Sequence, residues 1–189
     1  MVVQVIVDEA GDEEIAVVIP FMAVELERIS AGAGRGFQSL RLELFLQELV
    51  GLTGECAHGA VAAEGEALVV DAIETAQSLR VVLEKGRLLP LHSTSVGKCL
   101  LAWELAPLPV QLPARTGHTI TDPDLLRDHL ATVRSLGYAV DSEENHTGGC
   151  GISAPVFAGR DGPPVGCIGI GGPGQRINPA TVDELARQV

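Results

Sequence analysis

The chain has 189 residues, of which 46% are hydrophobic, so it is long enough for one domain with a sizeable core. Its 25 aspartates and glutamates outnumber its 13 lysines and arginines, which gives a formal net charge of −12. Because DNA affinity depends on clustered cations that neutralise phosphates, this composition excludes a chain that binds DNA tightly by itself.

Residues 1–36 are predicted to form an irregular or strand-like segment and linker that precedes one domain at residues 37–189. β-branched residues dominate 2–7 and 15–19, which indicates two strands on either side of an acidic turn. Residues 30–36, "SAGAGRG", have the glycine-rich composition typical of a linker.

A helix and three strands are predicted next. Apolar residues recur at intervals of three and four over residues 40–52, and Gly54 follows them, which predicts an amphipathic helix with a glycine at its C-terminal end. The runs at 56–62 and 67–74 are joined by "AEGE" and predict a hairpin, and residues 78–86 supply a third strand.

Two further helices are predicted in the middle of the chain. The first extends to about residue 105, and the candidates for its N-cap are Ser93, Thr94 and Ser95. A proline-rich stretch interrupts regular structure at residues 106–117. The second helix is capped by Thr121 or Asp122, begins with a proline and ends at Gly137.

Three strands and a helix are predicted at the end of the chain. The strands are at residues 138–143, 152–157 and 164–170, and Asn178 is the expected cap of a short last helix. This order of elements indicates an α+β domain built on a single, mostly antiparallel sheet of about six strands flanked by helices.

The stretch "GIGGPG", from Gly169 to Gly174, satisfies the nucleotide-binding pattern G-x-G-x-x-G. That motif needs a helix and then a second strand directly after the glycines, and the remaining chain has room for one short helix. Gly97 and Lys98 likewise lack the other residues of a phosphate-binding loop. We therefore expect no cofactor. The glycines either form the floor of a pocket or permit a bulge or close backbone packing.

The four cysteines are far apart and show no C-x-x-C spacing, which favours reduced thiols over a disulfide framework. The N-terminus has no basic leader, and the longest apolar run near it is too short to span a bilayer. We expect a cytoplasmic protein without membrane contact.

Cys150 lies among glycines in "GGCGIS", and their N–H groups are able to lower the pKa of a thiol or to hold an oxyanion. This arrangement raises the hypothesis of a thiol-dependent enzyme in which His58, His92 or His118 assists Cys150. The alternative is a small buried apolar residue. Cys150 and His146 lack a second cysteine or histidine pair, so a metal site is not expected.

Four collinear stretches carry a family resemblance: "LVGLTGECAHGAVAAEGEALVVDAIETAQSLR", "LPLHSTSVGKCLLAW", "VRSLGYAVDSEENHTGG" and "ISAPVFAGRDGPPVGCIGIGGPGQRI". From about residue 40 to 189 the chain resembles the effector-binding domain of the IclR family of bacterial transcription regulators. The resemblance implies a GAF-like fold without enzymatic activity. It also implies that the domain binds a small metabolite, often a carboxylate or aromatic acid. The conformational change on binding would then be passed to an N-terminal winged helix-turn-helix.

The segment before residue 37 departs from the family, because it shows no helix-turn-helix. We expect the protein to contact DNA only through a missing or separate DNA-binding domain. Truncation, a mis-started coding region or an orphan sensor would each explain why that domain is missing. The apolar face of the helix at 40–52 would then be partly uncovered, which predicts a homo-oligomer, in the first place a dimer.

The resemblance also implies a set of ligand-binding residues: Ser78, Leu89, Ser95, Val96, Asp141, Gly151, Gly169 and Gly171. Some family members carry a cysteine at the position of Gly151 and serines at those of Gly169 and Gly171. Because these polar groups are absent here, the glycines are expected to make room for a bulkier or more apolar ligand. The N-terminus of the helix near Val96 favours a carboxylate, and Asp141 is expected to accept hydrogen bonds from a ligand hydroxyl or from backbone N–H groups.

Overall fold

Groups of strands and helices alternate along the chain in the computed structural model. The structure describes the backbone of residues 2–7, 13–19, 22–23, 34–157 and 162–189 and the side chains of residues 42–157 and 162–189. In chain order the elements are β1 (Val2–Val7), β2 (Glu13–Ile19), β3 (Met22–Ala23), α1 (Gly34–Thr53), β4 (Cys56–Ala63), β5 (Glu66–Ile73), β6 (Leu88–Leu89), α2 (Ser95–Ala102), α3 (Pro123–Leu136), β7 (Ala139–Ser142), β8 (Gly149–Phe157), β9 (Pro164–Pro173) and α4 (Val182–Ala186).

Strands β4 to β9 form one antiparallel sheet in the order β7-β8-β9-β4-β5-β6, which confirms the predicted α+β architecture. The C-terminal end of β8 also pairs in parallel with β1. Strand β2 pairs with β1, and β3 pairs with β2, so these strands extend the sheet beyond β8. The strands expected near residues 2–7 and 15–19 are confirmed. The domain boundary after residue 36 stays a prediction, and most of the expected linker at 30–36 lies outside the described residues, although α1 already begins at Gly34.

The two faces of the sheet carry separate hydrophobic cores. On one face Leu46 and Leu49 of α1 pack with Ile168 and Ile170 of β9. On the other face α2 packs against the sheet through residues such as Val96 and Leu100, and α3 covers α2 from outside. None of the described helices has the length and apolar character needed to cross a membrane.

The side chains of β9 alternate between these two faces, as strand geometry requires. Ile168 and Ile170 belong to the core under α1, whereas Cys167 belongs to the core under α2. Gly169 and Gly171 therefore also face α2. The sheet has no side chains at these two positions, directly below the element whose N-terminus was expected to bind a ligand.

Local capping residues determine where α2 and α3 begin. Thr94 is the N-cap of α2, and its hydroxyl accepts a hydrogen bond from the N–H of Gly97 at 3.1 Å. Asp122 caps α3 by accepting from the N–H groups of Asp124 and Leu125, and Gly137 ends that helix in the left-handed conformation. The predictions for both helix starts and for Gly137 are confirmed.

Two predicted elements are wrong. Residues 78–86 form no strand, and only at their end does the N–H of Gly86 donate to the Val69 carbonyl of β5, at 2.8 Å. The third strand is instead Leu88–Leu89, which pairs with β5. Asn178 does not cap the last helix. Its side chain accepts from the N–H of Ala180 in a turn, and α4 begins only at Val182.

Candidate functional site

A cavity of about 110 Å³ lies between the sheet and the N-terminal end of α2. Its wall is made of β4 and β9, the ends of β7 and β8, the first turn of α2, and the irregular segment before β6. The residues that line it are His58, Val81, Val82, Leu83, Arg87, Leu89, Thr94, Ser95, Val96, Asp141, Asn145, His146, Gly149, Cys150, Gly151, Ile170 and Gly171.

The first turn of α2 supplies hydrogen-bond donors to this cavity. The N–H of Gly97 is satisfied by Thr94, and that of Lys98 bonds to the Thr94 carbonyl. The N–H groups of Ser95 and Val96, by contrast, precede the first acceptor that the helix itself can offer. Both residues line the cavity, so the free donors and the positive end of the helix dipole border it.

Glycine and serine residues on β8 and β9 allow α2 to approach the sheet closely. A Cβ atom at Gly151 would lie 2.7 Å from Ser95 Oγ, and one at Gly169 would collide with Ser153 Oγ. The hydroxyl oxygens of Ser95 and Ser153 are 2.8 Å apart. Gly169 is therefore required for close packing, which is the second of the two explanations for these glycines.

Gly171 has a different environment from Gly169. It lines the cavity, and a Cβ there would meet Cys56 Sγ at 3.4 Å and Val81 at 3.5 Å, which are ordinary contact distances. Its φ is not in the left-handed region. The first explanation, a glycine that leaves room at the floor of a pocket, therefore fits Gly171.

We expect the substitution Gly171→Leu to fill the cavity without unfolding the chain, because the backbone conformation tolerates a side chain and no backbone atom obstructs it. The variant should unfold within about 2 °C of the parent. It should also lose the stabilisation that a bound acid gives the parent in thermal denaturation, since that stabilisation scales with affinity. A variant that keeps the full ligand-induced stabilisation would show that Gly171 does not face the ligand.

Asp141 stands on β7 and lines the cavity beside the loop that follows it. Its carboxylate accepts hydrogen bonds from the N–H groups of Glu144 at 2.8 Å and Asn145 at 3.4 Å, which is the second of the two roles expected from the sequence. Burial nevertheless raises the pKa of Asp141 to about 7, against the lowering effects of these N–H groups and of Lys98. Near neutral pH this side chain is thus able to present either a proton or a negative charge to the cavity.

A buried ion pair holds the loop after β7 against α2. Lys98 Nζ bonds to Glu144 Oε1, and the Lys98 side chain has no exposed surface. The carbonyl of Glu144 accepts a hydrogen bond from Thr119 Oγ1 at 2.6 Å, and that of Glu143 accepts from Thr116 Oγ1 at 2.7 Å. The loop is therefore fixed from both sides, which orients the N–H groups that bond to Asp141.

The segment between β5 and β6, residues 74–87, covers the mouth of the cavity with Val81, Val82 and Leu83. Arg176, just beyond β9, ties this segment down by donating to the carbonyl of Leu79 at 2.9 Å. The same guanidinium forms a two-point ion pair with the carboxylate of Glu55, which is 2% exposed. Arg176 thus anchors the segment at residues 74–87 to the end of β9 and to the start of β4.

Cys150 also lines the cavity, but its chemistry does not match an activated nucleophile. Burial is the largest influence on this thiol, and it raises the pKa of Cys150 above its usual value. A reactive thiol needs the opposite shift. No hydrogen bond joins it to His58, His92 or His118 among the described residues, so the thiol-enzyme hypothesis gains no support from this site.

The cavity brings together most of the residues that the resemblance implied. Leu89, Ser95, Val96, Asp141, Gly151 and Gly171 line it. Gly169 lies on the same face but is covered by Ser153, and Ser78 is exposed in the segment at 74–87. The ligand-binding role of all eight stays a prediction.

Several lining residues were not predicted as ligand contacts, among them His58, Val81, Arg87, Asn145 and His146. Only His58 carried a signal in the sequence, because it interrupts the small and apolar run "CAHGAVA" of a strand. The others depend on how the long segment before β6 and the loop after β7 fold over the cavity. No local pattern reports that arrangement.

An antiparallel sheet with a ligand-sized cavity under the start of a helix is the architecture of GAF-like sensing domains. The model of the C-terminal domain of the bacterial transcriptional regulator IclR matches residues 40–189. The chain therefore belongs to the IclR family of bacterial transcriptional regulators, as the sequence resemblance indicated.

Similarity to characterised proteins agrees with this assignment. The chain is 34% identical over 141 residues to the glycerol operon regulatory protein of Streptomyces coelicolor, covering 72% of this chain and 55% of that protein. The chain spans about half the length of the curated relatives it matches. The first of them is named as a regulatory protein of an operon, and the KdgR protein of Dickeya chrysanthemi, 33% identical over 143 residues, is named as an HTH-type transcriptional regulator.

Two solved structures of similar fold contain a small aromatic acid. One is an IclR homolog from Microbacterium hydrocarbonoxydans complexed with 4-hydroxybenzoate, with 25% identity and a TM-score of 0.67, covering 82% of this chain and 69% of that one. The other is a double mutant of the PobR inducer-binding domain from Acinetobacter with 3-hydroxybenzoic acid, with 26% identity and a TM-score of 0.65, covering 78% and 92%.

Proposed function

We propose that residues 37–189 form an effector-sensing domain that binds a small carboxylic acid in the cavity at the N-terminus of α2. The observation that carries the proposal is the combination of free N–H groups at Ser95 and Val96 with an apolar wall that includes Leu89 and Val81. The N–H groups suit a carboxylate, and the apolar wall suits a carbon skeleton. The hydroxybenzoates bound by two structures of the same fold belong to this chemical class.

The other parts of the proposal follow from the family rather than from the cavity. A regulator of transcription acts where the chromosome is, so we place the protein in the bacterial cytoplasm. We propose that it forms a homo-oligomer and that DNA is contacted through a separate DNA-binding domain, because the chain itself carries a net charge of −12. Ligand binding then changes regulation only to the extent that it favours one conformation over another.

A pair of substitutions at Ser95 tests where the carboxylate lies. Ser95→Pro removes one N–H from the first helical position, where proline is well tolerated, and Thr94 before it has φ −116° and ψ 152°, which suits a residue that precedes proline. Ser95→Ala is the matched control, since it loses the same hydroxyl but keeps the N–H. In calorimetric titrations with 3- and 4-hydroxybenzoate, the proline variant should bind about 10-fold more weakly than the alanine variant.

Both variants should unfold at similar temperatures if the N–H has no structural role. Equal affinity of the two variants for the acid would contradict the proposed position of the carboxylate. Failure of the parent to bind any small acid would contradict the proposed function itself.

The affinity for an acid should rise as the pH falls from 8 to 6. Asp141, with a pKa of about 7, loses its negative charge over this range, and an anionic ligand in the same cavity is then no longer repelled. The expected gain is roughly 3- to 10-fold, since a carboxyl with a pKa of about 7 is about one-tenth protonated at pH 8 and about nine-tenths protonated at pH 6. Titrations of the parent and of Asp141→Asn at both pH values check this, and the variant should show little pH dependence.

His146 also lines the cavity and provides the control for this measurement. His146→Gln should retain the pH dependence of the parent. If the glutamine variant loses it and Asp141→Asn retains it, the proton belongs to His146 and the assignment to Asp141 is wrong.

A further inference from the structure

His58 is a buried polar side chain for which the described residues show no hydrogen bond that would stabilise the fold. It stands in the middle of β4, lines the cavity and is 3% exposed. Its Nδ1 atom is buried and has no hydrogen-bond partner among the described residues. Burial also lowers the pKa of His58 to about 4, so the ring is neutral at physiological pH.

The position of His58 follows from strand register. Ser153 of β8 is directly opposite Gly169 of β9, and Gly169 is directly opposite His58 of β4, so the three residues share one face of the sheet. Ser153 contacts the hydroxyl of Ser95 at the start of α2, which shows that this face lies under the helix. Two strand spacings of about 4.8 Å separate the Cα atoms of Ser153 and His58 by roughly 10 Å.

Gly169 carries no side chain, and the Ser153 hydroxyl lies over it. His58 lines the same cavity as Ser95 and Val96, so a ligand there has the free N–H groups of the helix N-terminus at one end and the imidazole at the other. A ligand that reaches both ends is shorter than about 10 Å, since both side chains extend over the row of three residues. The cavity volume of about 110 Å³ also restricts the ligand to a small molecule, since an apolar cavity of ~150 Å³ holds benzene.

Three other polar groups of the wall have partners among the described residues. The Asp141 carboxylate accepts from two backbone N–H groups, and the Asn145 side-chain oxygen accepts from Ser93 Oγ at 3.3 Å. The Ser95 hydroxyl is paired with that of Ser153. A buried polar atom that stays unpaired is costly, so an unpaired imidazole in a cavity wall indicates a partner that the ligand supplies.

We propose that His58 is a specificity-determining residue, which hydrogen-bonds a hydroxyl group at the far end of an acid whose carboxylate lies at the N-terminus of α2. The ligand class is therefore a small hydroxy acid rather than an unsubstituted acid. This inference rests on the proposed function. A neutral imidazole suits a hydroxyl group, since it offers one donor and one acceptor without adding charge to the cavity.

The test compares acids that differ only in the hydroxyl group, on proteins that differ only at His58. Calorimetric titrations use benzoate with its 3- and 4-hydroxy derivatives, and butyrate with 3- and 4-hydroxybutyrate. The variant is His58→Leu, and the control is His92→Leu, which replaces a second buried histidine outside the cavity wall, bonded at 3.0 Å to the carbonyl of Pro113.

The parent should bind at least one hydroxy acid about 5- to 100-fold more tightly than the corresponding plain acid. His58→Leu should abolish this preference and leave the affinity for the plain acid within about threefold, whereas His92→Leu should retain the preference. If a leucine variant does not fold, NMR spectra of the parent labelled with ¹⁵N-histidine report ligand contact through the chemical shifts of the imidazole ring nitrogens. The His58 imidazole, told apart from the other ring of low pKa, His129, by the spectrum of His129→Gln, should then shift with the hydroxy acid and not with the plain acid.

The outcomes distinguish the role of His58 from the sensing function of the domain. Equal binding of plain and hydroxylated acids by the parent, or a preference that survives His58→Leu, overturns the role of His58 and leaves the sensing function standing. Absence of binding to every acid in the set overturns both. An unchanged imidazole spectrum on saturation with a hydroxy acid also overturns the role of His58.

Discussion

Replacement of Lys98 by methionine should destabilise the chain by about 3–5 kcal/mol, although methionine is apolar and similar in length. The reason lies in the partner, since Glu144 would then be a buried carboxylate without a counter-charge. One carboxylate oxygen of Glu144 already lacks a hydrogen-bond partner within the part of the chain that the structure describes. Thermal and urea denaturation of the variant at pH 7 measure the loss.

Two further variants separate this explanation from a loss of packing. The double substitution Lys98→Met and Glu144→Gln should recover most of the stability, because it removes both charges together. Arg127→Met, which breaks the exposed pair with Asp124, should change stability by less than about 1 kcal/mol. If Lys98→Met is as mild as Arg127→Met, or if the double variant is no better than the single one, the buried charge is not the cause.

The consequence of Lys98 for the site is indirect. The Glu144 side chain holds the loop whose N–H groups bond to Asp141, so the ion pair connects the middle of α2 to the cavity wall. The same helix presents its N-terminus to the ligand. The ion pair therefore ties the loop after β7 to the helix whose N-terminus borders the cavity.

The helices and most strands could be predicted because their signals are local. Asp122, Pro123 and Gly137 define α3 without reference to any other part of the chain, and Thr94 does the same for the start of α2. The segment 78–86 shows the limit of such signals. It contains β-forming residues, but a strand also needs a partner with free hydrogen-bonding groups, and here the Leu79 carbonyl accepts from Arg176 instead.

The candidate site could be predicted only in part, because it depends on pairs of residues far apart in sequence. Gly169 and Gly171 look equivalent in the sequence, since both alternate with isoleucine and face the same side. Ser153 covers the first, while Val81 and Cys56 leave room above the second. His58 becomes a candidate only when the register places it across from Gly169.

Gly97 shows how close packing reverses a local rule. Helix propensity favours alanine over glycine by about 1 kcal/mol in a helix interior, so propensity alone predicts that Gly97→Ala stabilises the chain. The structure indicates the opposite. A Cβ at Gly97 would lie 2.6 Å from the carbonyl carbon of Leu91 and closer still to its Cα and oxygen, and backbone atoms cannot move aside as a flexible side chain can.

We therefore expect Gly97→Ala to destabilise the chain by about 3 kcal/mol or more, because α2 must shift away from the turn before it. The shift would also displace the N–H groups of Ser95 and Val96, so binding of a small acid should weaken together with stability. Gly51→Ala in α1 is the matched control: nothing lies within 4 Å of a Cβ there, and propensity should raise stability by about 0.5–1 kcal/mol. Urea denaturation of both variants compares the two effects on one scale. If both alanine variants were stabilised alike, α2 would not lie against Leu91 as closely as the cavity geometry requires.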